Sequence, residues 1–287
     1  MGKVFIVDVT KCSGCYACYV TCKDEHVDNE WLPYAKPMPD TGSHWLKIEE
    51  KERGQTPYVK VTYMPIMCQH CDNPPCTRVC PVNAIEKRKD GVVIIWPEKC
   101  NGCSGLEKPL CIDACPYGVI YFNKTLNIAQ KCTMCAHLLD GKDTLWKFNV
   151  PRCVDACHTG ALIFGDEGDP KIKDLIKKAE ILKPEEGTKP RVYYIGLPKP
   201  FFAGQVVDPV ADEVIIGAKV KAIDIATGEV KEVETDELGD FWLRDLTLNH
   251  RYLVKVSKDG YYERTIGVVM ADKDKSLGEI KLYKITK

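Results

Sequence analysis

The sequence lacks the features that mark membrane-spanning and nucleic-acid-binding proteins. Its apolar run at residues 92–96, like every other in the sequence, is far shorter than the roughly 20 residues that a helix needs to cross a bilayer. Lysine and arginine total 40 and aspartate and glutamate total 41, so the formal net charge is −1 and no basic excess favours nucleic acid. No secretory signal opens the chain, which favours the cytoplasm. We therefore expect neither direct membrane insertion nor nucleic-acid binding.

Cysteine is absent after residue 157, and all sixteen cysteines of this 287-residue chain lie between Cys12 and Cys157. They form four quartets, each of which opens with C-x-x-C and closes with C-x-x-x-C. In chain order the quartets are Cys12, Cys15, Cys18 and Cys22; Cys68, Cys71, Cys76 and Cys80; Cys100, Cys103, Cys111 and Cys115; and Cys132, Cys135, Cys153 and Cys157. The first is an unbroken C-x2-C-x2-C-x3-C run, the bacterial ferredoxin run for [4Fe–4S] clusters.

Two other uses of cysteine fit this pattern poorly. An even, high count can mean disulfides, but those are typical of secreted chains, and here the cysteines sit in one half of the sequence at cluster-like spacing. Zinc sites use two C-x2-C-type pairs, whereas these quartets add third and fourth cysteines at ferredoxin offsets. The second and third quartets also end in Cys-Pro, as ferredoxin runs do. We therefore predict four [4Fe–4S] clusters.

The quartets belong to a sequence repeat that occurs four times, in which a β-rich strand leads into a cysteine loop and a second strand follows the closing cysteine. Residues 84–95 read as a hairpin that turns at Asp90-Gly91, and residues 119–129 as one that turns near Asn123-Lys124. Repeats two and three are contiguous and should pair with each other. Repeats one and four should then pair around them, with residues 162–164 beside residues 5–7.

This pairing predicts which cysteines share a cluster. In ferredoxin runs the last cysteine binds the neighbouring cluster, so each repeat supplies three ligands to one cluster and its closing cysteine to the other. Cluster 1 then takes Cys12, Cys15, Cys18 and Cys157, and cluster 2 takes Cys22, Cys132, Cys135 and Cys153. Cluster 3 takes Cys68, Cys71, Cys76 and Cys115, and cluster 4 takes Cys80, Cys100, Cys103 and Cys111.

Several polar residues stand beside the predicted ligands. His70 lies between Cys68 and Cys71, and His158 follows the last closing cysteine. Because no cysteine is missing, we interpret both histidines as hydrogen-bond donors near a cluster or as plain loop residues. Lys11, Lys99 and Lys131 each precede an opening cysteine, where a positive charge would favour the reduced cluster, although solvated surface lysines are an equal alternative.

A long insertion, residues 24–57, separates the first two repeats and contains Trp31 and Trp45. Insertions of this length are usually functional or contact surfaces. The sequence leaves two interpretations open, which are a surface that packs on a partner and an ordered loop that closes over the clusters.

The sequence after the last quartet changes character. Residues 170–182 show amphipathic helical spacing, and residues 190–197 read as extended. From about residue 201, seven short alternating segments separated by turn signals predict a β-sandwich without catalytic residues. The predicted fold class is α+β, with tandem ferredoxin-like [4Fe–4S] modules in domain 1–198, which includes a helix and extended tail at 166–198, and a small all-β, prealbumin-like or Ig-like sandwich in domain 199–287.

The four-quartet pattern resembles the iron–sulfur β subunits of the DMSO-reductase superfamily of molybdenum and tungsten enzymes. Further stretches resemble the transhydroxylase branch of that superfamily, and the C-terminal residues resemble prealbumin-like or carboxypeptidase-regulatory-like sandwiches. The transhydroxylase-like stretches are Asp24-Glu25-His26, Asn29-Glu30-Trp31, Arg53-Gly54, residues 132–140 and residues 187–194. The sandwich-like stretches are residues 217–220, Thr235-Asp236, residues 239–241 and residues 258–261.

The resemblance implies a role and a partner. It implies a non-catalytic subunit that carries electrons for a large chain, with molybdopterin guanine dinucleotide and molybdenum or tungsten only in that chain, in a heterodimer or a higher assembly acting on hydroxylated aromatic compounds. One alternative is a structural and redox-poising subunit whose clusters do not cycle in turnover, and another is a free-standing polyferredoxin. Export to the periplasm alongside a signal-bearing partner is the alternative to the cytoplasm.

Overall fold

The computed structural model describes residues 2–141 and 145–285, which divide into two compact units. The first unit comprises residues 1–50 and 63–197, and the second comprises residues 51–62 and 198–287. Residues 51–62 are the end of a hairpin, and their place in the second unit was not foreseen from the sequence. That residues 1–198 and 199–287 are separate domains stays a prediction. In the described residues, no helix is both long and apolar enough to cross a membrane.

The part of the chain up to Leu197 is built from short elements joined by the cysteine loops. Two single 3₁₀ turns, Val9–Lys11 and Pro184–Glu186, accompany them. In chain order the elements are β1 (Lys3–Asp8), α1 (Ala17–His26), β2 (Leu46–Gln55), β3 (Tyr58–Met67), α2 (Pro75–Arg78), β4 (Ile85–Lys87), β5 (Val93–Ile95), α3 (Leu110–Ala114), β6 (Tyr121–Asn123), β7 (Ile128–Gln130), α4 (Ala136–Leu139), α5 (Arg152–Asp155), β8 (Leu162–Asp166), α6 (Pro170–Ile176) and β9 (Val192–Ile195).

Strand β1 lies at the centre of a three-stranded sheet with the order β8-β1-β9. It pairs antiparallel with β8, where Phe5 faces Phe164 and Val7 faces Leu162, and parallel with β9. The predicted pairing of residues 162–164 with residues 5–7 is confirmed. Because Phe5 and Val7 are fully buried, this pairing joins the first and fourth repeats through the core of the unit.

Both predicted hairpins are present. Strands β4 and β5 pair with Ile85 opposite Ile95, and Gly91 has the positive φ of 90° that their turn requires. Strands β6 and β7 pair with Asn123 opposite Ile128. The strand after the closing cysteine of one repeat therefore pairs with the strand that leads into the next repeat. These hairpins connect the second, third and fourth repeats.

Helix α6 is shorter than the sequence predicted. The apolar spacing indicated a helix over residues 170–182, but the helix ends at Ile176. Shortly afterwards Glu180 exchanges two backbone hydrogen bonds with Tyr194, from N to O at 2.8 Å and from O to N at 2.7 Å. This bridge needs an extended backbone, so pairing with β9 ends the helical pattern that the side chains alone would have continued.

The second unit contains a β-sandwich, which confirms the predicted fold class. One sheet has the order β11-β10-β14 with β17 also on β10, and the other has the order β13-β12-β15-β16. The sequence predicted seven of these strands and missed the two-residue β11. The strands are β10 (Phe202–Asp208), β11 (Glu213–Val214), β12 (Lys219–Asp224), β13 (Val230–Glu234), β14 (Asp240–Leu243), β15 (Arg251–Ser257), β16 (Arg264–Met270) and β17 (Lys275–Lys281).

The hairpin end at residues 51–62 is held in the second unit by polar and aromatic contacts. Arg53 donates two hydrogen bonds to the Asp274 carboxylate, from Nε at 3.0 Å and from Nη2 at 2.6 Å, and the two side chains are only 15% and 11% exposed. Tyr58 donates a hydrogen bond of 2.9 Å to Asp240, and its ring lies edge-on to Trp242. A bidentate arginine–carboxylate ion pair of this kind is strong and geometrically specific.

Replacing Arg53 with methionine should destabilise the second unit by about 3 kcal/mol, because the largely buried carboxylate of Asp274 loses its cation and keeps only the 3.1 Å hydrogen bond from the Phe201 amide. Native-state hydrogen exchange of the β10 and β17 amides in the intact chain measures this. Lys255→Met is the matched control, since its pair with Glu263 spans 3.4 Å at the surface and should contribute under about 0.5 kcal/mol. Equal effects of the two substitutions would contradict the prediction.

Candidate metal centres

The four cysteines predicted to bind cluster 1 line one cavity of the first unit. Cys12, Cys15, Cys18 and Cys157 surround it, with Ile48, Pro65 and Leu162 among the apolar residues of its wall. Cys157 reaches this cavity because the β1–β8 pairing brings the fourth repeat beside the first. Gly14 in the loop has φ +69°, and a Cβ there would lie 2.5 Å from the Tyr63 ring, so the loop depends on glycine.

The ligands predicted for clusters 3 and 4 line two further cavities. Cys68, Cys71, Cys76 and Cys115 lie around one, together with Tyr117 and Lys131. Cys80, Cys100, Cys103 and Cys111 lie around the other, with Ile85, Ile95 and Ala129 among its apolar wall residues. In both cavities the last cysteine of one repeat joins three cysteines of the other, which is the crossed grouping that the ferredoxin spacing predicts.

The remaining four cysteines, predicted for cluster 2, influence one another electrostatically. Burial raises the pKa of the Cys22 thiol well above its usual value, and the neighbouring Cys132 and Cys135 add to the increase. The pKa of Cys153 is raised by burial and then by Cys135, Cys132 and Cys22. Glu25 of α1 also hydrogen-bonds to His137 of α4 and Arg152 of α5, so the three helices near these cysteines lie together.

The four groups of thiols, which we number as the clusters that they are predicted to bind, follow one another in a row. Cys18 of the first group contributes to the raised pKa of Cys22 and Cys153 in the second. Burial raises the pKa of Cys132 to about 11, with Cys68 of the third group as the next cause. Burial likewise raises the pKa of Cys111 in the fourth group to about 12, with Cys76 of the third group as the next cause. The order along the row is therefore 1, 2, 3 and 4.

Backbone N–H groups point at the cysteine sulfur atoms, and the loops adopt left-handed backbone to allow it. The amide of Met134 donates to Cys132 Sγ at 3.4 Å, and the amide of Leu162 donates to Cys157 Sγ at 3.3 Å. The amide of Ala84 donates to Cys80 Sγ at 3.2 Å. Amides aimed inward in this way form anion-binding concavities and stabilise negative charge on sulfur.

The two histidines beside the ligands have different surroundings. The ring of His70 is fully buried, and its Nδ1 accepts a 3.0 Å hydrogen bond from the Val93 amide. The proton must then be on Nε2, which has no partner among the residues that the structure describes. His158 lies with Nδ1 3.8 Å from Cys15 Sγ. That neither histidine replaces a cysteine ligand stays a prediction.

The three lysines that precede an opening cysteine differ in burial. Lys11 is 54% exposed in its side chain and pairs with Asp8 at 3.2 Å, and Lys99 is exposed. Lys131 is only 2% exposed and lines the cavity of the third group. Lys11 and Lys99 are therefore solvated surface lysines, whereas Lys131 is not.

A buried polar network that the sequence analysis assigned no role surrounds the second group. Glu25 accepts hydrogen bonds from His137 Nε2 at 2.8 Å and from Arg152 Nε at 3.0 Å. Glu25 is in α1 with Cys22, His137 follows Cys135 at the start of α4, and Arg152 precedes Cys153 in α5. The carboxylate thus ties together the three short helices that position these cysteines. Its only signal in the sequence is the closeness of each residue to a cysteine.

The part of the insertion that contains Trp31 and Trp45 packs on this network. Trp31 stacks on His137 with ring centroids 4.4 Å apart, and Trp45, which is 2% exposed, contacts the His26 ring at 4.5 Å. Both tryptophans therefore pack within the first unit. This favours the interpretation of residues 24–45 as an ordered loop that closes over the cysteine groups.

The residues present fit iron–sulfur clusters. Each group offers four soft thiols, as a cubane requires, and inward-facing amides supply hydrogen bonds to sulfur. Over residues 2–141 and 145–285, no three His, Cys, Asp or Glu side chains converge closely enough to hold a single metal ion. Because metal ligation needs thiolates, cluster assembly must overcome the raised pKa of these thiols and release protons.

Comparison with known protein families supports this chemistry. Two 4Fe–4S dicluster domain families match the chain, one over residues 59–167 and one over residues 11–84. A carboxypeptidase regulatory-like domain matches residues 202–282 in the second unit. The first two matches contain all sixteen cysteines, and the third contains none.

Several characterised proteins are similar to this chain. The pyrogallol hydroxytransferase small subunit of Pelobacter acidigallici is 40% identical and covers 96% of this chain and 98% of its own. A tetrathionate reductase subunit from Salmonella typhimurium is 35% identical over 68% of this chain and 73% of its own. The iron–sulfur subunit of the arsenate respiratory reductase of Shewanella sp. strain ANA-3 is 34% identical over 66% of this chain and 94% of its own.

Replacing Glu25 with alanine should cost the second cysteine group its cluster, because His137 and Arg152 lose the carboxylate that fixes α4 and α5 against α1. Losing such a supporting hydrogen bond typically lowers metal affinity about 10- to 100-fold. With the four equal clusters that the sequence predicts, loss of one should lower the iron content of anaerobically purified protein by about a quarter. Glu50→Ala is the control, because Glu50 is exposed and accepts only a 3.5 Å bond from Tyr16. Full iron content in the Glu25 variant would contradict this role.

Proposed function

Because the chain belongs to the family of iron–sulfur electron-transfer subunits of molybdopterin oxidoreductases, we propose that it carries four [4Fe–4S] clusters in a row for a larger catalytic chain. The proposed ligand sets are the crossed groups, with Cys157, Cys22, Cys115 and Cys80 as the ligands exchanged between paired repeats. The observation that carries the proposal is that twelve of the thiols line three cavities in the predicted sets of four, while the other four influence one another's pKa.

The chain's own residues hold, shield and arrange the clusters. When bound, each cluster takes up and releases one electron. The inward amides and thiolates hold it, while apolar walls such as Ile85, Ile95 and Ala129 around the fourth group exclude water. The succession of groups, in which Cys132 neighbours Cys68 and Cys111 neighbours Cys76, gives an electron a continuous route through the first unit. Only the first group has an exposed ligand, Cys15.

The proposed partner is a large catalytic subunit that contains molybdopterin guanine dinucleotide with molybdenum or tungsten. The relative that is 40% identical over 96% of this chain is a pyrogallol hydroxytransferase subunit, so we propose hydroxylated aromatic compounds as the substrate class of the complex. The proposed location is the cytoplasm. We propose an interaction or stabilising role for the sandwich in the second unit.

The crossed grouping can be tested with two cysteines of the same helix, α1. Cys18→Ser should remove the EPR signal of cluster 1, and Cys22→Ser should instead remove the signal of cluster 2, although the two residues are only four apart. Cys153→Ser should remove the same signal as Cys22→Ser, because both belong to the second group. Loss of one common signal in the Cys18 and Cys22 variants would contradict the crossed grouping.

Rapid-freeze EPR of the complex distinguishes electron transfer from redox poising. We expect mixing with a hydroxylated aromatic substrate to change the reduction state of the clusters at the rate of turnover, because electrons pass along the row. Cluster signals that stay constant during turnover and change only with a strong chemical reductant would instead support the poising role. A chain that purifies without a large pterin-containing subunit would support a free-standing polyferredoxin.

A further inference from the structure

Lys131 is a buried cation in the middle of the row of cysteine groups. Its Nζ donates hydrogen bonds to the backbone oxygens of Val93 and of Cys132, the latter at 3.1 Å. The residue is 2% exposed, and no carboxylate in the described part of the chain lies within ion-pair distance of it. A buried charge without a counter-ion is strongly unfavourable, so this position calls for a source of negative charge.

The surroundings of Lys131 identify that source. Its side chain lines the same cavity as Cys68, Cys71, Cys76 and Cys115, the third group. Burial raises the pKa of Cys76 in the third group and of Cys132 in the second group. The positive charge of Lys131 lowers the pKa of both thiols and so partly offsets the effect of burial. The ammonium therefore acts on the two central groups of the row. Four thiolates that hold a cluster would supply the missing negative charge.

We propose that Lys131 sets the reduction potentials of the two central clusters, because its buried ammonium stabilises their reduced and more negative state. The effect should be largest for cluster 3, whose cavity the side chain lines. This inference rests on the proposed function, since it needs the crossed ligand sets. In the electron transfer that Lys131 would influence, a neighbouring reduced cluster gives one electron to a central cluster. The donor is oxidised by one electron and the central cluster is reduced by one, while no bond breaks and no proton moves.

Two lysines at the same position of other repeats provide matched controls. Lys11 and Lys99 each precede an opening cysteine, as Lys131 does. However, Lys11 is 54% exposed and paired with Asp8, and Lys99 is exposed, so water and salt screen their charges. If burial gives Lys131 its effect, removing the other two charges should leave the potentials nearly unchanged.

The experiment is an EPR-monitored reductive titration, with dithionite and mediators, of the complex that contains this chain and its large subunit. In Lys131→Met, we expect two of the four one-electron steps to need a more reducing potential. At a fixed ambient potential, the ratio of reduced to oxidised cluster should fall at least about tenfold, which is about 59 mV for a one-electron couple. Lys11→Met and Lys99→Met should change the ratio less than about threefold.

Unchanged steps in a fully iron-loaded Lys131→Met protein would overturn the proposal, and so would an equal shift in Lys99→Met. Lys131→Arg keeps the charge and should titrate like the unaltered protein. If Lys131→Met and Lys131→Gln both lose iron while Lys131→Arg keeps it, the requirement for the charge is supported. Iron loss from all three would overturn it, because side-chain shape would then be what matters.

The unaltered protein separates this inference from the proposed function. Four one-electron steps and about sixteen iron atoms per chain would support the proposed function whatever the Lys131 variants do. Fewer clusters in the unaltered protein would instead count against the proposed function itself.

Discussion

The first unit depends on a geometric constraint, which is that a cubane needs four thiolates at the corners of a tetrahedron. A short loop such as the one from Cys12 to Cys18 can supply three, so the fourth must come from a distant repeat. The β1–β8 pairing meets this need by bringing Cys157 to the loop of the first repeat. The short helices and the buried strand β1 hold the cysteines of the proposed crossed sets in place. Since bound metal contributes folding free energy, the clusters should in turn stabilise the unit.

Much of this arrangement could be predicted from the sequence, because cysteine spacing and turn chemistry are local signals. The Asp90-Gly91 turn and the contiguity of repeats two and three left only one partner for repeat one, and the placement of residues 162–164 beside residues 5–7 followed. Contacts between distant residues were harder to foresee. Helix α6 ends at Ile176 because Glu180 pairs with Tyr194, and nothing near residue 180 in the sequence announces that bridge.

The polar residues around the cysteines show the same limit. Lys11, Lys99 and Lys131 look alike in the sequence, and only the fold separates the buried one from the two at the surface. The bonds of Glu25 to His137 and Arg152 join residues more than a hundred positions apart, with separations of 112 and 127. Buried charges of this kind matter because low dielectric strengthens their effect on a neighbouring redox group. The cysteine pattern thus predicts the cofactor, while burial distinguishes Lys131 from the two surface lysines.

The most direct test of the account is anomalous diffraction at the iron absorption edge from anaerobically grown crystals. We expect four separate iron peaks in a row, each enclosed by one crossed set, with Cys157 at the first and Cys80 at the last. Zinc-edge signal at these positions, S–S bridges between the cysteines, or iron bound by the four cysteines of a single repeat would contradict the account.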